Sequence, residues 1–175
     1  MKSFFDFSER FGARTGGYRD LMSRQVPHVM LVSSLYESFI LAEDGQLHEQ
    51  VLRKFIEASP REPPALTRVS SGREALKILE SGHRRVDLIV TSPDTGDMSA
   101  TDLAQSVTDG GYDVPLAILA YDREELRGIE ETGGHPNILG RFLYQGDAGI
   151  LLAIVQLVED RLNVERDTRI GVPVF

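Results

Sequence analysis

The chain has 175 residues, 41% hydrophobic and 26% charged, a balance that supports one soluble core with some added terminal structure. Its 27 acidic against 19 basic residues leave a net charge of -8. Such a field repels phosphate backbones and anionic lipid, so neither nucleic acid nor a membrane is expected as a partner. The absence of cysteine excludes disulfides and thiolate metal sites. The four histidines, His28, His48, His83 and His135, lack ligand spacing, and no metal or cofactor is expected. No apolar run approaches the ~20 residues that span a bilayer, and the opening MKSFFDFSERFGARTGG lacks the apolar core of a signal peptide, so the expected location is the cytoplasm.

In chain order, GGYRDLMSRQVP places Tyr18, Leu21 and Met22 on one stripe of a short N-terminal helix, packed on its own domain or on a neighbour. HVMLVSS reads as a first strand. LHEQVLRKFIEA reads as a helix with Leu47, Val51, Leu52, Phe55 and Ile56 on one face, and ALTRVS as a second strand. In SGREALKILESG, Ser71 and Glu74 have the spacing of a capping box and Gly82 stands where the helix should stop. VDLIVTS is the third strand, and Ser99 with Asp102 again has box spacing before the next helix. VPLAILAY is too apolar for an edge strand facing water. Asp122 opens DREELRGIEETGG, so polar that only Leu126 and Ile129 can pack inward, and LGRFLY is the fifth strand. DAGILLAIVQLVEDRL closes the series, with Ile150, Leu151, Ile154, Val155 and Val158 forming the stripe of a helix laid on a sheet.

Five strands alternating with five helices predict an α/β fold: a flavodoxin-like, doubly wound parallel sheet of order 2-1-3-4-5 with helices on both faces, because parallel strands need right-handed crossovers. The working crevice of such a sheet lies at the strand carboxyl ends where the order reverses, between the first and third strands. Those ends are Ser33, Ser34 and Ser92.

The segment VSSGREALKILESGHRRVDLIVTSPDTGDMSATDLAQSV, followed by VPLAILAYDREEL, resembles the receiver (CheY-like) domain of two-component response regulators in length, order and hydrophobic pattern. The resemblance spans about Pro27 to Asn163. It implies an extension over residues 1–26, a receiver-like domain over 27–163, and a linker with the start of a following strand or domain over 164–175. Receivers carry an acid pair after the first strand, a phosphorylated Asp after the third, Thr or Ser after the fourth and Lys after the fifth. Here the acid pair falls on Ser33 and Ser34, the phosphoacceptor on Ser92, the hydroxyl on Ala120, and the Lys on Tyr144 or Gln145.

Every one of these positions departs from the family pattern. Receiver phosphorylation needs a carboxylate nucleophile and Mg²⁺, a hard cation held by carboxylates. One carboxylate about 4 Å from a unit charge near a protein surface is worth on the order of 4 kcal/mol. A serine nucleophile would need a general base, and none of the histidines lies in a segment expected to reach the crevice. Asp94 and Asp97 are the alternative acids for a metal or phosphoryl group, against their use with Thr95 and Gly96 as turn formers. Glu43, Asp44 and Gly45 in LAEDGQL read as a turn, and GARTGG has no Lys at P-loop spacing.

The expected function is that of a degenerate receiver without enzyme activity, a regulatory or protein-interaction module in signal transduction. The alternative is an unconventional phospho-accepting receiver using Asp94 or Asp97. Typical receivers pair through the fourth helix, fifth strand and last helix, so that face is expected to meet a second copy or the next domain. Phe142 and Tyr144 are its candidate anchors, unless they fill the groove under the final helix. The C-terminal run RIGVPVF reads as a strand beginning, which implies a longer chain. The stretch FLYQGDAGILLAIVQLVEDRLNVERDTRIGVPVF also resembles the N-terminal receiver-like portion of large bacterial proteins with a PEP/pyruvate-binding domain of the PEP synthase and pyruvate phosphate dikinase type.

Overall fold

A strand covered on both faces must be apolar throughout, whereas an edge strand can keep polar positions, and the five strands divide along that line. A computed structural model describes residues 25–34, 63–131, 135–145 and 149–169. The strands are β1 (His28–Val32), β2 (Ala65–Val69), β3 (Leu88–Thr91), β4 (Leu116–Ala120) and β5 (Ile138–Leu143). All neighbours pair in parallel in the order β2-β1-β3-β4-β5. Every residue of β3 and β4 is buried, while β5, at one edge, is half-buried along its whole length. This is the flavodoxin-like, doubly wound sheet expected, with helices on both faces. The expected helices over 18–22 and 47–58, the turn at Glu43 to Gly45 and the GARTGG segment lie outside the described residues.

Register sorts the core. Met30 stands beside Thr67 on β2 and Ile89 on β3, and laterally paired residues of parallel strands share a face. Met30, Val32, Val69, Ile89 and Leu116 form one buried cluster. It includes Ala75 and Leu79 of α1 (Gly72–Ser81) and Leu103, Ala104 and Val107 of α2 (Ala100–Asp109). By alternation Val29, Leu31, Leu88, Val90, Ala117 and Leu119 occupy the opposite face, and all are buried. Each large side chain buried this way contributes roughly 1.5–3 kcal/mol.

The caps locate the helices. The Ser71 hydroxyl accepts from the Glu74 amide at 3.2 Å, and Gly82, at φ 61, ends α1 in the left-handed conformation. The expected reciprocal box at Ser71 does not close. The Glu74 carboxylate instead accepts from the amide (2.9 Å) and hydroxyl (3.2 Å) of Ser70, which offers two donors where the Ser71 backbone offers one. At α2 the box is complete, with Asp102 N donating to Ser99 Oγ at 3.1 Å and Ser99 N to Asp102 Oδ2. Asp122 caps α3 (Arg123–Glu131) by accepting from the Glu124 and Glu125 amides at 2.7 and 2.8 Å.

The last helix, α4 (Gly149–Arg169), runs past the end expected near Asn163. The added residues VERDTR hold no glycine or proline, and the first breakers in the sequence are Gly171 and Pro173. Val26–Val155 forms one compact unit, including the start of α4 with Leu151, Ile154 and Val155 buried. The rest of α4, Gln156–Arg169, belongs to a separate unit.

Replacing Ser99 with Ala removes the hydroxyl half of the α2 box. Urea unfolding should show a loss of about 1 kcal/mol at an unchanged denaturant slope.

Candidate functional site

The carboxyl ends of β1 and β3 lie side by side at the point where strand order reverses, and backbone pairing continues one residue beyond each strand. Ser33 N donates to Val69 O at 3.2 Å and Ser92 N to Val32 O at 3.0 Å. Ser33 and Ser92 are buried, and Ser34 is half-buried. The fully buried Ala120 ends β4, and its carbonyl accepts from Tyr144 N at 2.8 Å just beyond β5. The exposed Gln145 follows. The fold therefore brings Ser33, Ser92, Ala120 and Tyr144 to four strand ends along one rim of the sheet.

The two hydroxyls at the end of β3 are turned to the backbone. Ser92 Oγ donates to Asp94 O at 2.9 Å, and Thr91 Oγ1 to Ser92 O at 3.1 Å. Such bonds satisfy short polar side chains where a buried strand breaks into a loop.

The two nearby carboxylates also serve the backbone. Asp94 Oδ1 accepts from Gly96 N at 2.7 Å, closing a turn in which Gly96 takes φ 87, a conformation suited to glycine. Asp97 reaches a different element: Oδ1 accepts from Gly72 N at 2.9 Å and Oδ2 from Arg73 N at 3.0 Å, so it caps α1 across 25 positions of sequence. The Thr95 hydroxyl stands 2.7 Å from Asp97 Oδ1, and Arg73 Nε is 4.0 Å from Oδ2. Burial pushes the Asp97 carboxyl up, but the Thr95 hydroxyl and the Arg73 and Gly72 amides outweigh it and hold the group below the usual carboxylate range.

The turn containing Asp97 was legible in sequence; its grip on α1 was not, nor was the reason for Gly72. A Cβ at Gly72 would stand 2.5 Å from Met98 Cγ and Sδ, so the Met98 side chain, which packs over this glycine, would have to shift to admit any other residue there. Among the described residues no group of three or more His, Asp or Glu is arranged to hold a metal ion.

Tyr144, expected as a surface anchor or as groove filling, is buried at 7% exposure. Its ring meets Tyr121 edge to face, with centroids 5.7 Å apart and planes at 68°. A side chain so covered belongs to the core, and of the two aromatic candidates the half-buried Phe142 keeps more accessible surface.

No family model and no curated protein matches the sequence. Solved structures do match in fold. The signal receiver domain of an HD domain-containing protein from Pseudomonas fluorescens Pf-5 is 21% identical, with TM-score 0.59 over 82% of this chain and 94% of that one. A response regulator receiver domain protein from Clostridium thermocellum is 17% identical, with TM-score 0.56 over 78% and 98%. The phosphorylated cyanobacterial phytochrome response regulator RcpA is 18% identical, with TM-score 0.52 over 78% and 93%. These likenesses establish a receiver-type fold. The resemblance of the C-terminal stretch to PEP/pyruvate-binding proteins finds no support among them.

Because the folded-state pKa of Asp97 is depressed, its contribution is present above the ordinary carboxylate pKa of about 3.9 and is lost as pH falls through the lower folded value. Asp97→Asn should cost on the order of 1 kcal/mol at neutral pH, with the gap to wild type closing at acid pH; unfolding at a series of pH values measures it. Tyr144→Ala should cost about 3 kcal/mol while leaving the molar mass by light scattering unchanged.

Proposed function

We propose that the chain is a receiver-fold regulatory module, without enzyme activity, whose signal is carried by protein contact instead of aspartyl phosphorylation. The observation that carries this reading is the chemistry of the rim. Serines stand where the resemblance requires carboxylates, and the two acids that follow β3 are engaged by amides of the turn and of α1. A hard divalent cation needs oxygen ligands carrying charge, and phosphoryl transfer to a carboxylate needs that cation to neutralise the developing charge. Releasing Asp97 to serve as nucleophile would leave the Gly72 and Arg73 amides at the start of α1 without their acceptor.

The contact surface in this reading is the outer face of α3 and β5 with the last helix, used against a second copy or an adjacent domain. Two features support it. β5 is an edge strand whose six residues are all half-buried, Phe142 among them. Arg141 on the same strand buries its Nε without a hydrogen-bond partner, a desolvation cost of about 1–3 kcal/mol that rearrangement against a partner's carboxylate would relieve.

The experiment is incubation with acetyl phosphate and Mg²⁺ followed by intact mass, alongside a receiver that retains its acids. The expected result is no phosphoryl adduct on this chain under conditions that label the control. An adduct located at Asp94 or Asp97 would instead establish the phospho-accepting alternative.

A further inference from the structure

The last helix carries an apolar stripe that faces outward. Leu157 and Val164 are the large hydrophobic side chains left exposed among the described residues, at 46% and 55%. They stand seven positions apart, two turns of α4 and about 10.5 Å along its axis, so they share one side of the helix. Residues 1–24 lie outside the described residues, and their sequence holds a matching pattern. Four of the chain's eight phenylalanines, Phe4, Phe5, Phe7 and Phe11, fall within its first eleven positions, and Phe4, Phe7 and Phe11 have the i, i+3, i+7 spacing of one helical stripe. Ser3 and Asp6 have capping-box spacing ahead of it, and Gly12 opens the glycine-rich GARTGG that stops it. The sequence thus predicts a helix over residues 4–11, too short to persist alone in water.

We propose that residues 4–11 fold as a helix against α4 of the same chain, with Phe7 seated between Leu157 and Val164 and with Phe4 and Phe11 on either side. The segment then covers the distal part of the last helix, so a partner at the contact face must displace it; only this consequence rests on the reading above. Spacing argues for the pairing. Phe4 and Phe11 span the same seven positions as Leu157 and Val164, and a side chain in the middle of one helical stripe fits between two on another. Charge argues for it as well, because residues 1–24 carry five basic and three acidic side chains in a chain that has 19 and 27, so a cationic segment meets an acidic body. Tether length decides for the same copy. Residues 12–24 extend to about 45 Å, whereas the Val26–Val155 unit, which contains both β1 and the start of α4, has a radius of gyration of about 14 Å for its length. Such a tether holds the segment at an effective concentration in the millimolar range, above that of a second copy at micromolar protein. The acidic body also repels an anionic lipid surface, the other apolar phase that a cationic aromatic helix could enter.

The test is methyl NMR with limited trypsin digestion on the full chain. In the wild type the Leu157 and Val164 methyl groups should show nuclear Overhauser contacts to phenylalanine rings and ring-current shifts. Phe7→Ser should abolish both, while the methyl groups of the fully buried Ile89 stay in place. The reciprocal variant, Leu157→Ser with Val164→Ser, changes only exposed side chains and should speed trypsin cleavage after Arg10 by about tenfold or more as the segment is released. The contacts should persist when labelled chain is diluted into a large excess of unlabelled chain, as they must within one copy. The proposal is overturned if the wild type shows no such contacts or if Phe7→Ser leaves the two methyl groups unmoved. It is overturned equally if the contacts vanish on dilution, which makes the occupant a second copy, or if Arg10 is protected from trypsin only when phosphatidylglycerol vesicles are added. The measurement contains no phosphodonor, so its failure is separate from that of the functional reading, which is judged by mass.

Discussion

The pairing of β1 with β3 is the interaction on which the rest depends. Two parallel strands carrying Val29 to Val32 and Leu88 to Thr91 leave no polar side chain before Thr91, and their backbone groups are used in the ladder. Such a pair is stable only when both faces are covered, and each return to the same end of the sheet demands a crossover. Polar side chains are thereby pushed to the strand ends. The rim where β1 and β3 stop is the first place in this core where chemistry can gather.

What gathers there is short and neutral. A carboxylate on that rim would need a cation or several amide donors to offset its desolvation, whereas a serine satisfies itself with one carbonyl. Ser92 does this through Asp94 O, and the burial of Ser33, Ser92 and Ala120 leaves the floor of the crevice compact. Of the two acids that follow β3, Asp97 is directed to another element. Asp97 lies where loop and helix meet, and the amides at the positive end of α1 stabilise its ionised form. Tyr144, one of the two positions (with Gln145) onto which the resemblance would carry a lysine, fills space against Tyr121.

Local pattern was readable wherever cause and effect lie within one turn or one strand. The apolar runs of β1, β3 and β4 announced burial on both faces, and Ser99 with Asp102 formed the box their spacing promised. The limits were local too. Glu74 matched the box spacing yet bonded to Ser70, since spacing cannot choose between adjacent donors that a side chain reaches equally well. The charge of VERDTR suggests a linker after Asn163, yet charged residues without glycine or proline continue a helix readily, and α4 runs on to Arg169.

Sequence by itself determined the order of elements, the strands that are central and the identity of the residues at each strand end, because alternation, capping and crossover rules act on neighbours in the chain. It also determined that those ends carry serine and alanine. Only the tertiary structure decided which partners the remaining polar groups take. Asp97 capping a helix 25 positions away, Met98 lying over Gly72, and Tyr144 turned into the core are contacts between segments distant in sequence. They arise from packing geometry at the sheet rim, where side chains from several strands and loops compete for the same few donors and the same space, and no periodicity along the chain records the outcome.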